Sequence, residues 1–508
     1  MKFLSHWVFA GKRSKFSCEP TMRSTANNGG YRDRRSMKHV LDNVHGYIYL
    51  DPLFLQFIDT EQLRDLKQLG LTHMVYPGAA HSRFEHSLGV YCLAGEAVNK
   101  INFYQGQELG IEEFDRNTVK LAGLLHDIGH GPFSHMFERE FLPRVLDGYE
   151  WSHEDMSLKM IEYIVDKHCI DIDSAILKTA KEMILASSEH GPEKSMTEKR
   201  FLYDIVANGR TEIDVDKFDY IVRDSRACGI GSGFQFERLM ETMRVMDDEI
   251  CYRANECQYI LNIVLPSLLQ HNLTLHKLFA TRADLHRTVY THPKVKAIEL
   301  MVVDALCYAN ADLGIAASIQ KPSEFWKLDD SILKWIETSD SDSPSLKEAK
   351  NLIQRIRKRD LYQYCNQFSV PKDKLENFKD ITPQDIICSQ KSGGVTLKEE
   401  DVAVSTVKID LTHGRMNPLE RQVGFYQDYD SSEKFRIPDD RISHLLPRFF
   451  QDRIVRVYAK KPELVEAVAE AFENYQVKTY GCKAQVHATP DKKKARKQLE
   501  YQYQTDRQ

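Results

Sequence analysis

The sequence has no Cys-x-x-Cys pair. Its ten cysteines are scattered over 508 residues, and only Cys251 and Cys257 lie near one another. This argues against a structural zinc site built on paired thiolates and fits a reducing compartment. No apolar run approaches the roughly 20 residues that span a bilayer, so no membrane partner is expected. The start, Met1–Ala10, has a short apolar patch from Trp7 to Ala10 without a long hydrophobic region or a cleavage site, which argues against a secretory signal. There is no excess of basic charge. Lys and Arg number 69 against 74 Asp and Glu, a formal net charge of -5, so any nucleic-acid binding would need a local basic patch. Internal repeats and long low-complexity tracts are also lacking.

What is present is helical periodicity. Residues 1–37 read as a flexible arm, basic between Lys12 and Arg35, with turn formers at Asn27–Gly30. Val44–Leu50 alternates like a short strand or hairpin edge. Leu53, Phe57 and Ile58 have helical spacing, as do Leu63, Leu66 and Leu69 with Gly70 as a stop. Val119–His126 is apolar, with Asn117 and Thr118 as caps. Helices are expected over Met156–Val165, Ile176–Leu185, Phe236–Met246, Leu261–Phe279 (started or kinked at Pro266) and Val295–Ala309. The expected fold class is therefore mainly α, with a helical core over 38–335. A smaller α+β module over 336–490 follows: a helix at Leu346–Ile356, strands at Val402–Leu411 and Ile454–Tyr458, a helix at Leu464–Tyr475, then Lys478–Val486. Residues 491–508 form a polar tail with a basic run at Lys492–Lys497.

The stretch His126-Asp127-Ile128-Gly129-His130-Gly131-Pro132-Phe133-Ser134-His135 places three histidines and an aspartate within ten residues at the end of an apolar helix. Nitrogen and oxygen donors of this kind suit Fe, Mn, Zn, Ni or Mg. Gly129 and Gly131 would let the chain leave the helix and approach a ligand. Arg83-Phe84-Glu85-His86 offers another histidine, and Ile213-Asp214-Val215-Asp216 a distant carboxylate. His45 beside Gly46 reads as a turn residue, His73 and His81 as loop histidines, and Arg282 with His286 as one helix face. Asp214 reads as a surface carboxylate or a partner behind the site.

With these blocks the sequence resembles the HD superfamily, and within it the SAM-and-HD-domain deoxynucleoside triphosphate triphosphohydrolases. The resemblance runs from about Lys38 to Tyr458, through His45-Gly46, Pro77-Gly78-Ala79, Arg83–Gly89, Ala122–Met136, Ser152-His153-Glu154, Asp214–Asp224 and Phe279–Arg287. It implies an HD-domain catalytic core and a C-terminal regulatory and oligomerisation module. It implies His86, His126, Asp127 and Asp216 as ligands of a divalent or transition metal (Fe, Zn or Mn), which activates water for attack on the α-phosphorus. His130, His135 and His153 would be the catalytic histidines, His135 the best placed to protonate the leaving 5′ oxygen. Arg83, Lys217 and Arg282 would hold the triphosphate with Mg²⁺ on its phosphates, Gln68 and Asp224 the 3′-hydroxyl, and Tyr220, Leu69 and Tyr290 the sugar. The products would be deoxynucleoside and triphosphate. The family further implies control of deoxynucleotide pools, GTP and dNTP activators, a homotetramer or dimer, and a nuclear or cytoplasmic address. Two rival readings are an HD phosphohydrolase of another nucleotide, and a catalytically impaired protein acting through single-stranded nucleic acid.

The sequence also departs from the family. No SAM domain precedes the core. The activator segment, Asp59-Thr60-Glu61-Gln62-Leu63-Arg64, lacks three residues of the family pattern, which would shorten a helix by ~4.5 Å and turn it by ~60°. Asp59, Gln62 and Arg64 remain as activator-site candidates. Of the second activator pocket, Lys38, Arg238 and Lys294 match, whereas Leu41 and Thr242 do not and Pro293 is inserted.

Overall fold

The computed structural model describes residues 37–60, 64–148, 150–187, 198–254, 274–391, 395–410, 423–436 and 451–481. The basic arm, Gln62, most of the Leu261–Phe279 helix and the basic tail lie outside them. The chain opens with an antiparallel hairpin, β1 (Lys38–Asp42) on β2 (Gly46–Leu50), paired from Lys38↔Leu50 to Asp42↔Gly46. Alternation sends Ile48 and Leu50 into the core and leaves Tyr47 and Tyr49 outside.

Helices dominate thereafter. Arg83–Leu109 begins at Ser82, whose backbone N–H donates to Glu85 at 2.6 Å, and stops at Gly110 with φ +58. It packs on Glu113–Leu125 and on Val215–Ala227, and these three helices, with the turn that follows Leu125, carry the metal-ligand candidates. Gly89 makes one of these contacts feasible, because a Cβ there would sit 1.9 Å from the Asp219 carboxylate of the facing helix. Outside them lie His153–His168, Ser174–Ile184, Thr274–Leu285 and Pro293–Leu313. Phe54, Phe57, Leu124, Phe137, Phe218 and Phe279 are among the fully buried members of one continuous core; each such side chain contributes about 1.5–3 kcal/mol.

Residues beyond 336 split their packing. Pro344–Arg357 lies along Pro293–Leu313 and buries Leu346, Ala349 and Ile353 in the main core. Strands β5 (Gln363–Ser369), β6 (Val402–Asp410) and β8 (Gln451–Ala459) form an antiparallel sheet in the order β5-β8-β6. With Pro383–Ile387 and Val465–Tyr480 this sheet encloses a second core around Ile386, Val455, Val457, Val468 and Phe472. A third sheet joins the two regions: β3 (Arg244–Met246) pairs antiparallel with β4 (Glu249–Arg253), and β4 pairs parallel with β7 (Gly424–Tyr426).

Several local expectations are corrected. Residues 64–69 form a turn and a bridge, Lys67↔Ser82, and Gly70 starts a short 3₁₀ segment instead of ending a helix. The site of the three-residue deletion, after Gln62, lies outside the described residues. The helix ending at Leu125 starts at Glu113, so Thr118 is interior and donates its hydroxyl to Phe114 O. Phe236–Met246 is a helix only to Glu241 and then a strand. The last helix continues to Tyr480, through the start of the segment expected to follow it.

Candidate metal centre and active site

His86 sits one turn into its helix and is fully buried. Its Nδ1 donates to Asp219 Oδ2 at 2.7 Å, which fixes the tautomer and leaves the Nε2 lone pair facing the site. Nε2 lies 3.0 Å from Asp216 Oδ1 and 3.6 Å from Asp127 Oδ2. His126 ends its own helix, where Nδ1 is 3.0 Å from Gly123 O. Its Nε2 lies 3.5 Å from an oxygen of Asp127 and of Asp216. Both Nε2 atoms are buried without a hydrogen-bond partner, and the donor atoms of His86, His126 and Asp216 all lie within 4.8 Å of one another. Two imidazole nitrogens and two carboxylates converging in this way fit a divalent cation. The carboxylates favour positive charge here: burial alone would depress the His86 pKa, but Asp216 and Asp219 raise it, as they would stabilise a bound cation. Burial opposes ionisation of Asp127, yet Arg83, His126 and His130 hold its carboxyl well below the usual range.

Behind this centre is a layer that the sequence reading did not assign. Asp219 accepts from His86, from Arg223 Nε and Nη2 at 2.8 Å each, and lies 2.6 Å from His45 Nε2. Arg223 continues to Asp42 at 2.8 Å, tying the hairpin to the ligand helix. His45 is thus both a turn residue and a support of the site. The signal for this layer was the spacing Asp216, Asp219, Arg223 on one helix, which stacks the three at i, i+3 and i+7.

The three catalytic candidates form one cluster. His130 stacks on His153 with centroids 3.9 Å apart, and His135 stands edge-on to both at 5.0 and 5.4 Å. Glu138, also unassigned from sequence, joins two of them: its Oε2 is 3.0 Å from His153 Nδ1 and 3.5 Å from His135 Nδ1. Desolvation lowers the His135 pKa to about 4, with Glu138 opposing and Arg139, His153 and Arg83 reinforcing the shift. Half of its side chain is open to solvent. Gly129 and Gly131 are close to protein instead of ligand. A Cβ on Gly129 would meet His153 O and Ser157 N at 2.2 Å, which is how the loop seats on the His153–His168 helix.

The substrate-contact candidates surround these clusters. Arg83 pairs with Asp127, and Lys217 with Asp214 at 2.9 Å. Asp214 is buried and caps its helix by accepting from Lys217 N, so it is not a surface group. Arg282 donates to Tyr220 Oη at 3.2 Å and to Asp410 O at 2.7 Å. Asp224 is shared by His81, at 2.7 Å, and the Tyr290 hydroxyl, at 2.6 Å. Gln68 presents a buried Oε1 without a partner, next to Leu69. His286, read as part of a helix face, is partly buried. Desolvation first, then Arg282, His135 and Arg139, pull its pKa to about 3. Among the activator-site candidates, Lys38 and Arg64 each approach Asp59 to 3.8 Å. Arg238 lies half-buried on Phe236–Glu241, and Lys294 is exposed at the start of Pro293–Leu313.

Residues 83–223 match the HD domain family, a span that starts at Arg83, ends at Arg223 and contains all four ligand candidates. The chain is 40% identical over 450 residues to the deoxynucleoside triphosphate triphosphohydrolase SAMHD1 homolog of Dictyostelium discoideum, covering 88% of this chain and 82% of that one. It is 35% identical over 463 residues to deoxynucleoside triphosphate triphosphohydrolase SAMHD1 of Homo sapiens, with 84% and 71% covered. The chain belongs to the SAMHD1 family. Membership in a family built on an HD domain implies a divalent metal, and the converging donors of His86, His126 and Asp216 give it a place. The SAMHD1-type likeness extends well past the HD domain, over most of the C-terminal region.

Proposed function

We propose that this protein hydrolyses deoxynucleoside triphosphates to deoxynucleoside and triphosphate. The observation that carries the reading is the pair of buried, unpartnered histidine Nε2 atoms facing Asp127 and Asp216, beside a three-histidine cluster. His86, His126, Asp127 and Asp216 hold the metal, which when bound supplies a Lewis acid for the phosphoryl group and for water. Arg83, Lys217 and Arg282 bind the triphosphate through charge-assisted hydrogen bonds. Gln68 and Asp224 receive the 3′-hydroxyl, and Leu69, Tyr220 and Tyr290 enclose the sugar, with Tyr220 against the position of a ribose 2′-hydroxyl. Water attacks the α-phosphorus, the bond to the 5′ oxygen breaks, and His135 gives that oxygen its proton, with His130 and His153 beside it. The substrate's negative charge raises the proton affinity of His135 from its low value in the free protein.

Activation and assembly belong to the same proposal. Asp59 and Arg64 form an activator site for GTP, with Gln62, which lies outside the described residues, and Lys38, Arg238 and Lys294 contribute to a dNTP site. Binding there favours a homotetramer by differential affinity for the assembled form. We place the catalytic core at 38–335 and the regulatory module at 336–490, with a role in deoxynucleotide pools in the nucleus or cytoplasm.

The test is product formation from dATP with Mg²⁺, with and without GTP, read by chromatography. Deoxyadenosine and triphosphate are expected, and Asp127→Ala is expected to abolish turnover while remaining folded. Full activity in that variant would remove the metal assignment. No turnover by metal-loaded wild type would remove the activity and favour the nucleic-acid reading, to be checked by salt-dependent binding.

A further inference from the structure

We propose that Asp330 is a positioning residue that fixes the sugar-contacting segment Lys67–Leu69 against the loop carrying His130 and His135; this deepens the triphosphohydrolase reading and rests on it. Asp330 lies just before the helix Ile332–Thr338, far in sequence from either segment. Its carboxylate receives two backbone donors from two different places. Oδ2 accepts from Lys67 N at 2.9 Å and Oδ1 from Phe133 N at 2.8 Å. The side chain is 6% exposed, and Lys67 Nζ stands 3.7 Å from Oδ2.

The two segments touch directly as well. The Ser134 hydroxyl lies 3.2 Å from Lys67 O and 3.1 Å from Gln68 O. Phe133 and Ser134 both have left-handed backbones, φ 60 and 63, a conformation that costs a non-glycine residue of order 1 kcal/mol or more and persists where surroundings enforce it. Gly70 permits the approach, because a Cβ there would sit 2.8 Å from Phe133 O. The opposite edge of the segment is held to the start of the ligand helix: Gln68 N donates to His81 O at 3.0 Å and Arg83 N to Leu66 O at 2.8 Å. Asp330 therefore closes a frame in which Gln68 and His135 keep a set separation.

A carboxylate suits this place and an amide does not. Two converging N–H donors need two acceptor oxygens, and asparagine would turn an NH₂ toward one of them. Losing one bond releases one side of the frame. Displacement by a fraction of an ångström is then expected to reduce turnover about 10- to 100-fold, since near-attack geometry tolerates little error.

The experiment compares wild type, Asp330→Asn and Gln68→Ala, alone and combined, as full-length metal-loaded protein. Thermal unfolding and amide hydrogen exchange are measured first. Asp330→Asn is expected to melt close to wild type and to lose protection at Lys67 and Phe133 together. Kinetics on dATP and on its 3′-deoxy analogue come next. The expected result is a fall in kcat and a shrinking preference for the 3′-hydroxyl, with little further loss of that preference when Gln68→Ala is added. Unchanged kcat and preference would overturn the proposal, as would a loss that follows global destabilisation. Should wild type itself turn over neither nucleotide, the functional reading fails, and the exchange data still decide whether Asp330 couples the two segments: unchanged protection at either amide overturns it.

Discussion

Asp219 is fully buried behind the metal-ligand candidates, yet it decides how His86 offers its nitrogen. It holds Nδ1–H, and it is held in turn by Arg223 and His45. Partners of this kind orient a ligand and raise its basicity, and removing one costs about 10- to 100-fold in metal affinity. Asp219→Asn is expected to lose metal within that range, measured as retained metal after dialysis against graded chelator. Glu138 acts similarly on the histidine cluster. Its carboxylate favours the protonated form of His135 against the desolvation that lowers its pKa to about 4. A general acid works while protonated, so the rate falls as pH rises through its pKa in the complex. Glu138→Gln lowers that pKa and is expected to move the alkaline limb of kcat downward by up to about one pH unit, the worth of an ordinary hydrogen bond of about 0.5–1.5 kcal/mol, because Glu138 stands 3.5 Å from a half-exposed ring. A pH–rate profile showing an unmoved limb would remove His135 from the role.

Among the elements, the β1–β2 hairpin is anchored by the buried ion pair of Asp42 with Arg223, at 2.8 Å, beside the contact of His45 with Asp219. Burial raises the Asp42 pKa, but the bond and charge of Arg223 and the backbone N–H groups of His45 and Val44 outweigh it and leave the pKa below its ordinary value. Its contribution is thus present above the unfolded carboxylate range, near pH 4, and lost as pH falls through the lower folded value. Asp42→Asn is expected to cost about 2–4 kcal/mol at pH 7, less than a full pair because Arg223 keeps Asp219. In denaturant titrations the difference from wild type should close as pH falls through the lowered folded-state value. The helices His153–His168, Ser174–Ile184 and Pro293–Leu313 were legible because apolar periodicity and end signals agree in them, whereas Arg83–Leu109 and Val215–Ala227 were not read as helices. The ligand block was legible because its residue types cluster in sequence. Asp219, Glu138 and Asp330 were not, being single carboxylates among 74 acidic residues whose partners are set by the fold. Phe236–Met246 kept helical spacing but breaks at Thr242, because Asp247 and Asp248, both left-handed at φ 49 and 58, turn the chain so that β3 pairs with β4. Leu66 and Leu69 likewise mimic a helix, where the pairing of Lys67 with Ser82 prevails over local preference.

For the molecule as a whole, the scattered cysteines predicted a reduced protein, and the seven among the described residues are free. They differ in reactivity. Burial pushes the thiols of Cys92, Cys228 and Cys365 up to about 12, whereas Cys169 and Cys388 are exposed. Thiolates are the reactive species. Brief alkylation of native protein near pH 7.5 should therefore label Cys169 and Cys388 and spare the other three, as read by peptide mass spectrometry. Equal labelling would mean that the core around Cys92 opens in solution.

The parallel pairing of β4 with β7 has a consequence for how the chain is made. Residues Cys251–Arg253 wait for Gly424–Tyr426, about 170 positions later. At roughly 5–20 residues per second, a ribosome takes on the order of 10–35 s to deliver that partner. Throughout that interval the nascent catalytic region presents β4 with one unpaired edge, a template for misplaced strands. The late segment thus completes the early one, and a transcript cut short between these strands would yield a chain whose catalytic half is exposed to aggregation.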